Sequence, residues 1–137
     1  MAIRKAQTLP VRSSEDLLQV RQTVRTWAAE VGFNLVEQTK LITAASELAR
    51  NTVIHGGGGS ILAEIIDDGG RSGVRLTFED RGPGIADLNL ALKDGYSTGG
   101  GLGLGLGGAK RLSNEFYIYS KLGEGTRITI TRWKSAL

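Results

Sequence analysis

The apolar positions of the chain fall into two periodicities, and the change from one to the other outlines the elements. After the polar start Ser13-Ser14-Glu15-Asp16, the residues Leu17, Leu18, Val20, Val24 and Trp27 recur at helical spacing towards Gly32. A second helix is predicted from about Leu35 to His55, with Leu41, Ala44, Ala45, Leu48 and Ala49 forming one buried stripe. Four glycines at 56–59 stop it. The period then drops to two. Ile61, Ala63 and Ile65 alternate with other residues, Asp67-Asp68-Gly69-Gly70 turns the chain, and Val74, Leu76 and Phe78 alternate with Arg75, Thr77 and Glu79. Residues 3–11 read as a first strand that ends at Pro10 or shortly after, and a short helix is predicted near 86–93. Leu102 to Leu112 reads as a third long helix, followed by strands at Phe116–Tyr119 and Thr126–Trp133 around the turn Gly123-Glu124-Gly125. Strands in adjacent pairs separated by helices predict a two-layer α/β sandwich, a mixed β-sheet with helices on one face.

Length adds that 137 residues fit one domain, so residues 1–137 are expected to form a single unit. The absence of cysteine removes disulfides and thiolate metal sites. No run approaches the roughly 18 apolar residues of a membrane span, and the first thirty residues lack a signal-peptide core. A cytoplasmic protein away from membranes is expected. The net charge of +3 does not change this, because the basic residues are scattered and the densest cluster is Lys110-Arg111. A nucleic-acid binder would carry a basic stripe or interleaved aromatics, so none is expected as a partner. Glycine does change it. Most of the 20 glycines cluster at 56–59, 82–84, 99–108 and 123–125, which suggests backbone built to approach a ligand.

Four pieces can carry chemistry. Strand parity puts Asp80 on the face of Val74, Leu76 and Phe78, so an inward face ends in a carboxylate that needs a donor, such as an adenine amino group. A turn aspartate before Arg81-Gly82 explains the residue equally well. Glu47 and Asn51 stand four apart on one helix face. An amide oxygen there can reach a magnesium-bound phosphate while the acid orients or deprotonates an attacking hydroxyl, although such pairs also occur on solvated helix faces. His55, one turn further, reads as a capping or packing residue, and a single histidine suggests no zinc site. Third, Ser97-Thr98-Gly99-Gly100-Gly101-Leu102-Gly103-Leu104-Gly105-Leu106 leads into a helix and can cradle an anion. Within it Gly103, Gly105 and Gly108 satisfy the dinucleotide pattern, but the strand that pattern requires is replaced by the loop Asp94-Gly95-Tyr96-Ser97-Thr98. No Gly-Lys-Ser/Thr follows, so a P-loop is excluded as well. Fourth, Gly123-Glu124-Gly125-Thr126 is a hairpin turn whose Thr126 shares parity with Ile128 and Ile130 and should point inward.

Taken in order, Glu47-Leu48-Ala49-Arg50-Asn51, Asp80-Arg81-Gly82-Pro83-Gly84-Ile85, Gly101-Leu102-Gly103-Leu104-Gly105-Leu106 and Gly123-Glu124-Gly125-Thr126 resemble the boxes of the gyrase, Hsp90, histidine kinase and MutL (GHKL) ATPase superfamily. The resemblance covers about residue 35 to the C-terminus. It implies a Bergerat ATP fold, with ATP and Mg2+ as cofactors. Asn51 would bind magnesium and Glu47 would be catalytic. Asp80 would accept the adenine amino group, supported by Thr126, with Gly82, Gly84 and Ile85 beside the base. Gly99, Gly100, Gly101, Leu102, Gly103, Leu104 and Gly105 would wrap the phosphates, with Ser97 and Thr98 also in the nucleotide site.

Within the superfamily, a short chain whose only histidine lies in the nucleotide-site helix resembles the stand-alone, anti-sigma-type serine/threonine kinases. Such kinases imply STAS-domain partners, both antagonists and stressosome scaffolds, and a PP2C-type phosphatase that can be bound and activated. Two functions compete: a protein kinase, and a nucleotide-holding module that sequesters a sigma factor or activates the phosphatase. A small-molecule ATPase is third. Two departures from the family pattern stand out: the glycine run continues through Gly107-Gly108, and only 13 residues separate Ile85 from Gly99, a short lid.

Overall fold

In a computed structural model that describes residues 1–93 and 105–135, the elements run β1 (Ala2–Val11), α1 (Ser14–Val31), α2 (Leu35–Ile54), β2 (Gly59–Asp68), β3 (Arg71–Asp80), α3 (Leu88–Ala91), α4 (Gly105–Arg111), β4 (Glu115–Lys121) and β5 (Gly125–Trp133). Helix α1 begins where the Ser13 hydroxyl accepts from the Asp16 amide and ends at Gly32 in the left-handed region. Helix α2 begins with a reciprocal capping box absent from the sequence reading. Asn34 Oδ1 accepts from the Glu37 amide at 2.8 Å, and Glu37 Oε1 accepts from the Asn34 amide at 3.1 Å. The other Glu37 oxygen accepts from the Ser135 amide, which ties the end of the described chain to the start of α2.

The strands form one sheet in the order β1-β2-β3-β5-β4. The two-layer α/β class is as expected, but all four ladders among the described residues are antiparallel where a mixed sheet was expected. Connections between successive strands account for three of these ladders, and the fourth arises because β5 and not β4 lies beside β3. Tight hairpins join β2 to β3 and β4 to β5, and the antiparallel α1–α2 pair returns the chain to lay β2 against β1. The β2–β3 turn consists of Gly69 and Gly70, both at positive φ, as a two-residue hairpin of the twist-compatible kind requires. The helix expected from Leu102 to Leu112 is α4, described from Gly105 to Arg111, and residues 102–104 of the expected span lie outside the described residues.

One face of the sheet is buried beneath α1 and α2. Val11, Ile61, Ile65, Val74, Leu76, Phe78 and Ile130 of the sheet meet Val24, Trp27, Leu41, Ala45 and Leu48 of the helices in one cluster. Each large side chain so buried contributes about 1.5–3 kcal/mol, which makes this layer contact the main source of stability. The other face bears polar and aromatic side chains. There Glu64 is itself buried and binds Arg75 through both carboxylate oxygens at 2.8 and 3.2 Å. That hydrogen bonding holds the Arg75 guanidinium above its usual range.

Candidate functional site

At the end of the sheet where β3 finishes, a cleft of about 370 Å³ opens between the last turns of α2, the loop 82–87, α3, the start of α4 and β5. Its apolar walls are Leu48, Phe78, Ile85, Leu90, Leu106 and Ile128. Its polar groups are few: Asn51, Thr52, His55, Asp80, Asp87 and Thr126. A narrow apolar slot with a carboxylate in its wall suits a flat heteroaromatic ring that carries an amino donor.

Asp80 holds that position for the reason parity predicts. It follows the buried Val74, Leu76 and Phe78 on the helix-facing side of β3. Its Oδ1 accepts from the Gly82 amide at 2.9 Å, which sets the carboxylate plane. Among the described residues no donor meets Oδ2, so that oxygen is available to a ligand.

Glycines hold the backbone tight around this carboxylate. A Cβ on Gly56 would collide with the Asp80 side chain, 2.3 Å from its carboxyl carbon, and one on Gly82 would lie 2.7 Å from the Gly56 Cα. A Cβ on Gly125, whose φ is +113°, would strike the Asp80 carbonyl, and one on Gly59 would strike the Glu79 carbonyl. Clustering marks 56–59 as a helix stop and as backbone suited to close approach, but nothing local in the chain shows that it packs on Asp80. The available signal is number: one glycine suffices to end a helix, and four follow.

The loop 82–85 is fastened to the β4–β5 hairpin. Gly123 donates its amide to the Pro83 carbonyl at 2.8 Å, and Ile85 donates to Ser120 Oγ at 2.8 Å. Gly84, at φ +78°, lies so close to the Lys121 backbone that a side chain would collide with it. Ser120 also shares a 2.8 Å hydrogen bond with the Thr126 hydroxyl. Thr126 is opposite Asp80 in the β3–β5 register and opposite Ser120 in the β4–β5 register. It points inward as expected, and its described hydroxyl partner is Ser120. Sequence reasoning misses Ser120, because a lone serine on an edge strand carries no local signal.

Among the expected site residues, Asn51, Asp80, Gly84, Ile85, Gly105 and Thr126 all line the cleft, with Gly82 immediately behind it. Glu47 stands one turn before Asn51 on α2, is only 6% exposed, and is not part of the described cleft wall. Ser97, Thr98, Gly99, Gly100, Gly101, Leu102, Gly103 and Leu104 lie outside the described residues. Gly107 has a packing explanation: it is inside α4, where a Cβ would strike the Leu92 carbonyl. Among the described residues no group of three or more His, Cys, Asp or Glu side chains could hold a metal ion. The Asn51 carboxamide is a hard oxygen donor in the cleft wall, which fits a magnesium ion that takes its remaining ligands from phosphate and water.

Comparison with known proteins bears on what fills this cleft. Residues 36–136 match the family described as Histidine kinase-, DNA gyrase B-, and HSP90-like ATPase. The chain is 47% identical over 118 residues to the serine/threonine-protein kinase RsbT of Bacillus subtilis, covering 86% of this chain and 89% of that protein. It is 31% identical over 119 residues to the anti-sigma F factor of Anoxybacillus flavithermus, covering 82% and 80%. Among solved structures, the RsbU and RsbW domains of Rv1364c from Mycobacterium tuberculosis align with a TM-score of 0.65 at 24% identity. That alignment covers 96% of this chain and 34% of the other, and it speaks for the fold alone.

Proposed function

The chain belongs to the histidine kinase-, DNA gyrase B- and HSP90-like ATPase family, and from that premise we propose that it is an ATP-dependent serine/threonine protein kinase acting within a partner-switching module. The observation that carries the reading is the apolar cleft with the Asp80 carboxylate in its wall and Asn51 beside it, in a chain 47% identical to a serine/threonine kinase. Asp80 Oδ2 accepts the adenine amino group, while Oδ1 stays fixed by the Gly82 amide. Leu48, Phe78 and Ile128 exclude water from the base. Asn51 holds magnesium, which neutralises phosphate charge when bound. Gly82, Gly84, Ile85, Gly105 and Thr126 complete the nucleotide site. On sequence grounds we assign Gly99 to Leu104 to the phosphates and Ser97 and Thr98 to the nucleotide site.

Glu47 is the proposed base for the incoming hydroxyl. Its partners are STAS-domain proteins, both antagonist and stressosome scaffold, with a PP2C-type phosphatase as a second class. We place the protein in the cytoplasm and read residues 1–137 as one nucleotide-binding unit. The single core cluster, which draws on β1 through β5, supports that unit.

One observation favours a second reading, a nucleotide-holding binding module. Glu47 is buried and outside the described cleft wall, whereas a base must reach a hydroxyl. Replacing Glu47 with Ala separates the two. For a kinase, single-turnover phosphorylation of a STAS partner slows by about 10²–10⁴-fold while ADP affinity stays within a few-fold. Undiminished transfer rejects Glu47 as the base. Absence of transfer in the wild type, with ATP still bound, supports the binding module.

A further inference from the structure

The sheet has two outer strands, and they are built differently. β1 carries Pro10, which lacks an amide hydrogen, and its register with β2 shifts between Ile3 and Lys5. Arg4 and Lys5 add two charges at that irregularity. Prolines, bulges and charges are the usual means of keeping a free strand edge from pairing. β4 has neither a proline nor a bulge along its length, and its two charged residues, Glu115 and Lys121, stand at its ends. Its sequence is Glu-Phe-Tyr-Ile-Tyr-Ser-Lys, its ladder to β5 is regular from Glu115 to Lys121, and among the described residues it pairs with β5 alone. Tyr117 and Tyr119 are 65% and 61% exposed on the sheet face away from the helices.

The order of residues in β4 is self-complementary. If two copies run antiparallel about a twofold axis at Ile118, Glu115 faces the second copy's Lys121 and Tyr117 faces its Tyr119. Tyr119 and Lys121 then face the second copy's Tyr117 and Glu115. All four side chains lie on the open face, because they alternate with Phe116, Ile118 and Ser120 on the helix side. Opposite charges and aromatic pairs directly across an antiparallel ladder are the favourable cross-strand contacts. The present partners do not prevent this. Lys121 is ion-paired with Glu124 at 2.9 Å, but both side chains are more than 60% exposed, and surface pairs of that kind are weak. Glu115 uses Oε2 to accept from Trp133 Nε1, which leaves Oε1 for a lysine.

We propose that the β4 edge is a self-association surface whose occupant is the β4 strand of a second copy of this chain. The two five-stranded sheets join into one of ten strands, with both helix layers on the same side, as an isologous twofold dimer. Because each contact occurs twice, reversing one charge sets two like pairs against each other.

Sedimentation velocity over a protein concentration series tests this with four samples. Wild type dimerises in a concentration-dependent manner. Glu115→Lys alone and Lys121→Glu alone each weaken the dimer by at least about tenfold. An equimolar mixture of the two variants restores association, because every facing pair is again Lys against Glu. The double variant Glu115→Lys/Lys121→Glu restores it as a homodimer. The restoration arms cannot be explained by loss of fold in a single variant. A wild type that stays monomeric at every concentration overturns the proposal, as do single variants that dimerise like wild type or a mixture that fails to recover. Nucleotide affinity is not read in this experiment, so its result is independent of the kinase proposal.

Discussion

At one end of β2 the chain bends through Gly56–Gly59, where a side chain on Gly56 would collide with the Asp80 side chain. At the other end it turns through Gly69 and Gly70, where a Cβ would meet nothing within 4 Å. The first bend needs glycine for space at Gly56 and Gly59 and for backbone sign at Gly57 and Gly58, whereas the second needs it for backbone sign alone, since Gly69 and Gly70 have positive φ and open surroundings. Their surroundings differ in the same way. The Gly56 bend packs against the cleft, Gly82 and the end of β3. The Gly69 turn stands in solvent beside the Arg4–Asp67 pair, whose hydrogen bond holds the exposed Asp67 carboxyl below its usual range. Both bends are runs of consecutive glycine, so the presence of such a run does not by itself reveal a site. What distinguishes them is what the absent side chain would touch.

The strongest break of this comparison is Gly56→Val. The new side chain must displace Asp80 or move the end of α2 away from β3. Nucleotide affinity is expected to fall by more than about 100-fold, and stability by about 1–3 kcal/mol from overpacking. Calorimetric titration with ADP and thermal unfolding measure the two effects. Retained affinity would show that Asp80 can leave its place without cost to binding, and the glycine collar would lose its functional meaning.

Asp80→Asn is the next largest. The amide preserves the shape but can set an N–H against the adenine amino group, or against the Gly82 amide if it turns the other way. A lost or mismatched buried hydrogen bond costs about 1–3 kcal/mol, so ADP affinity should fall by roughly 5- to 150-fold with little change in melting temperature. A titration that gives the wild-type affinity would remove Asp80 from the site and leave it as a turn aspartate.

Gly70→Ala is the smallest. The residue sits at φ +86° with open space around it, so the expected cost is about 1–2 kcal/mol of backbone strain and no steric clash. Thermal unfolding should show this loss while ADP affinity stays unchanged. A change in affinity would mean that the distant hairpin is coupled to the cleft, and the contrast between the two bends would collapse.

Much of the molecule was legible in the chain because it depends on neighbours in sequence. Helical spacing in 17–27 and 41–49, alternation in 61–65 and 74–78, and the Gly69-Gly70 turn are local preferences that the tertiary structure reinforces. Asp80 was legible through parity alone, as the polar end of an otherwise apolar strand face. Other features had no local signature. The all-antiparallel sheet depends on β5, not β4, lying beside β3, and the short-range pattern of either strand is compatible with both arrangements. Ser120 matters because the sheet register brings it to Thr126 and the hairpin brings it to Ile85, contacts 6 and 35 residues apart. The burial of Glu47 was hidden for the same reason. Spacing puts it on the face of Asn51, but how much of that face is covered depends on the elements packed against α2. The sequence by itself determined which residues can form helices, strands and turns, because those preferences are set within a few residues. Only the tertiary structure decided that Gly56, Gly82 and Gly125 close around Asp80, its side chain and its backbone, because that packing joins three segments distant in the chain.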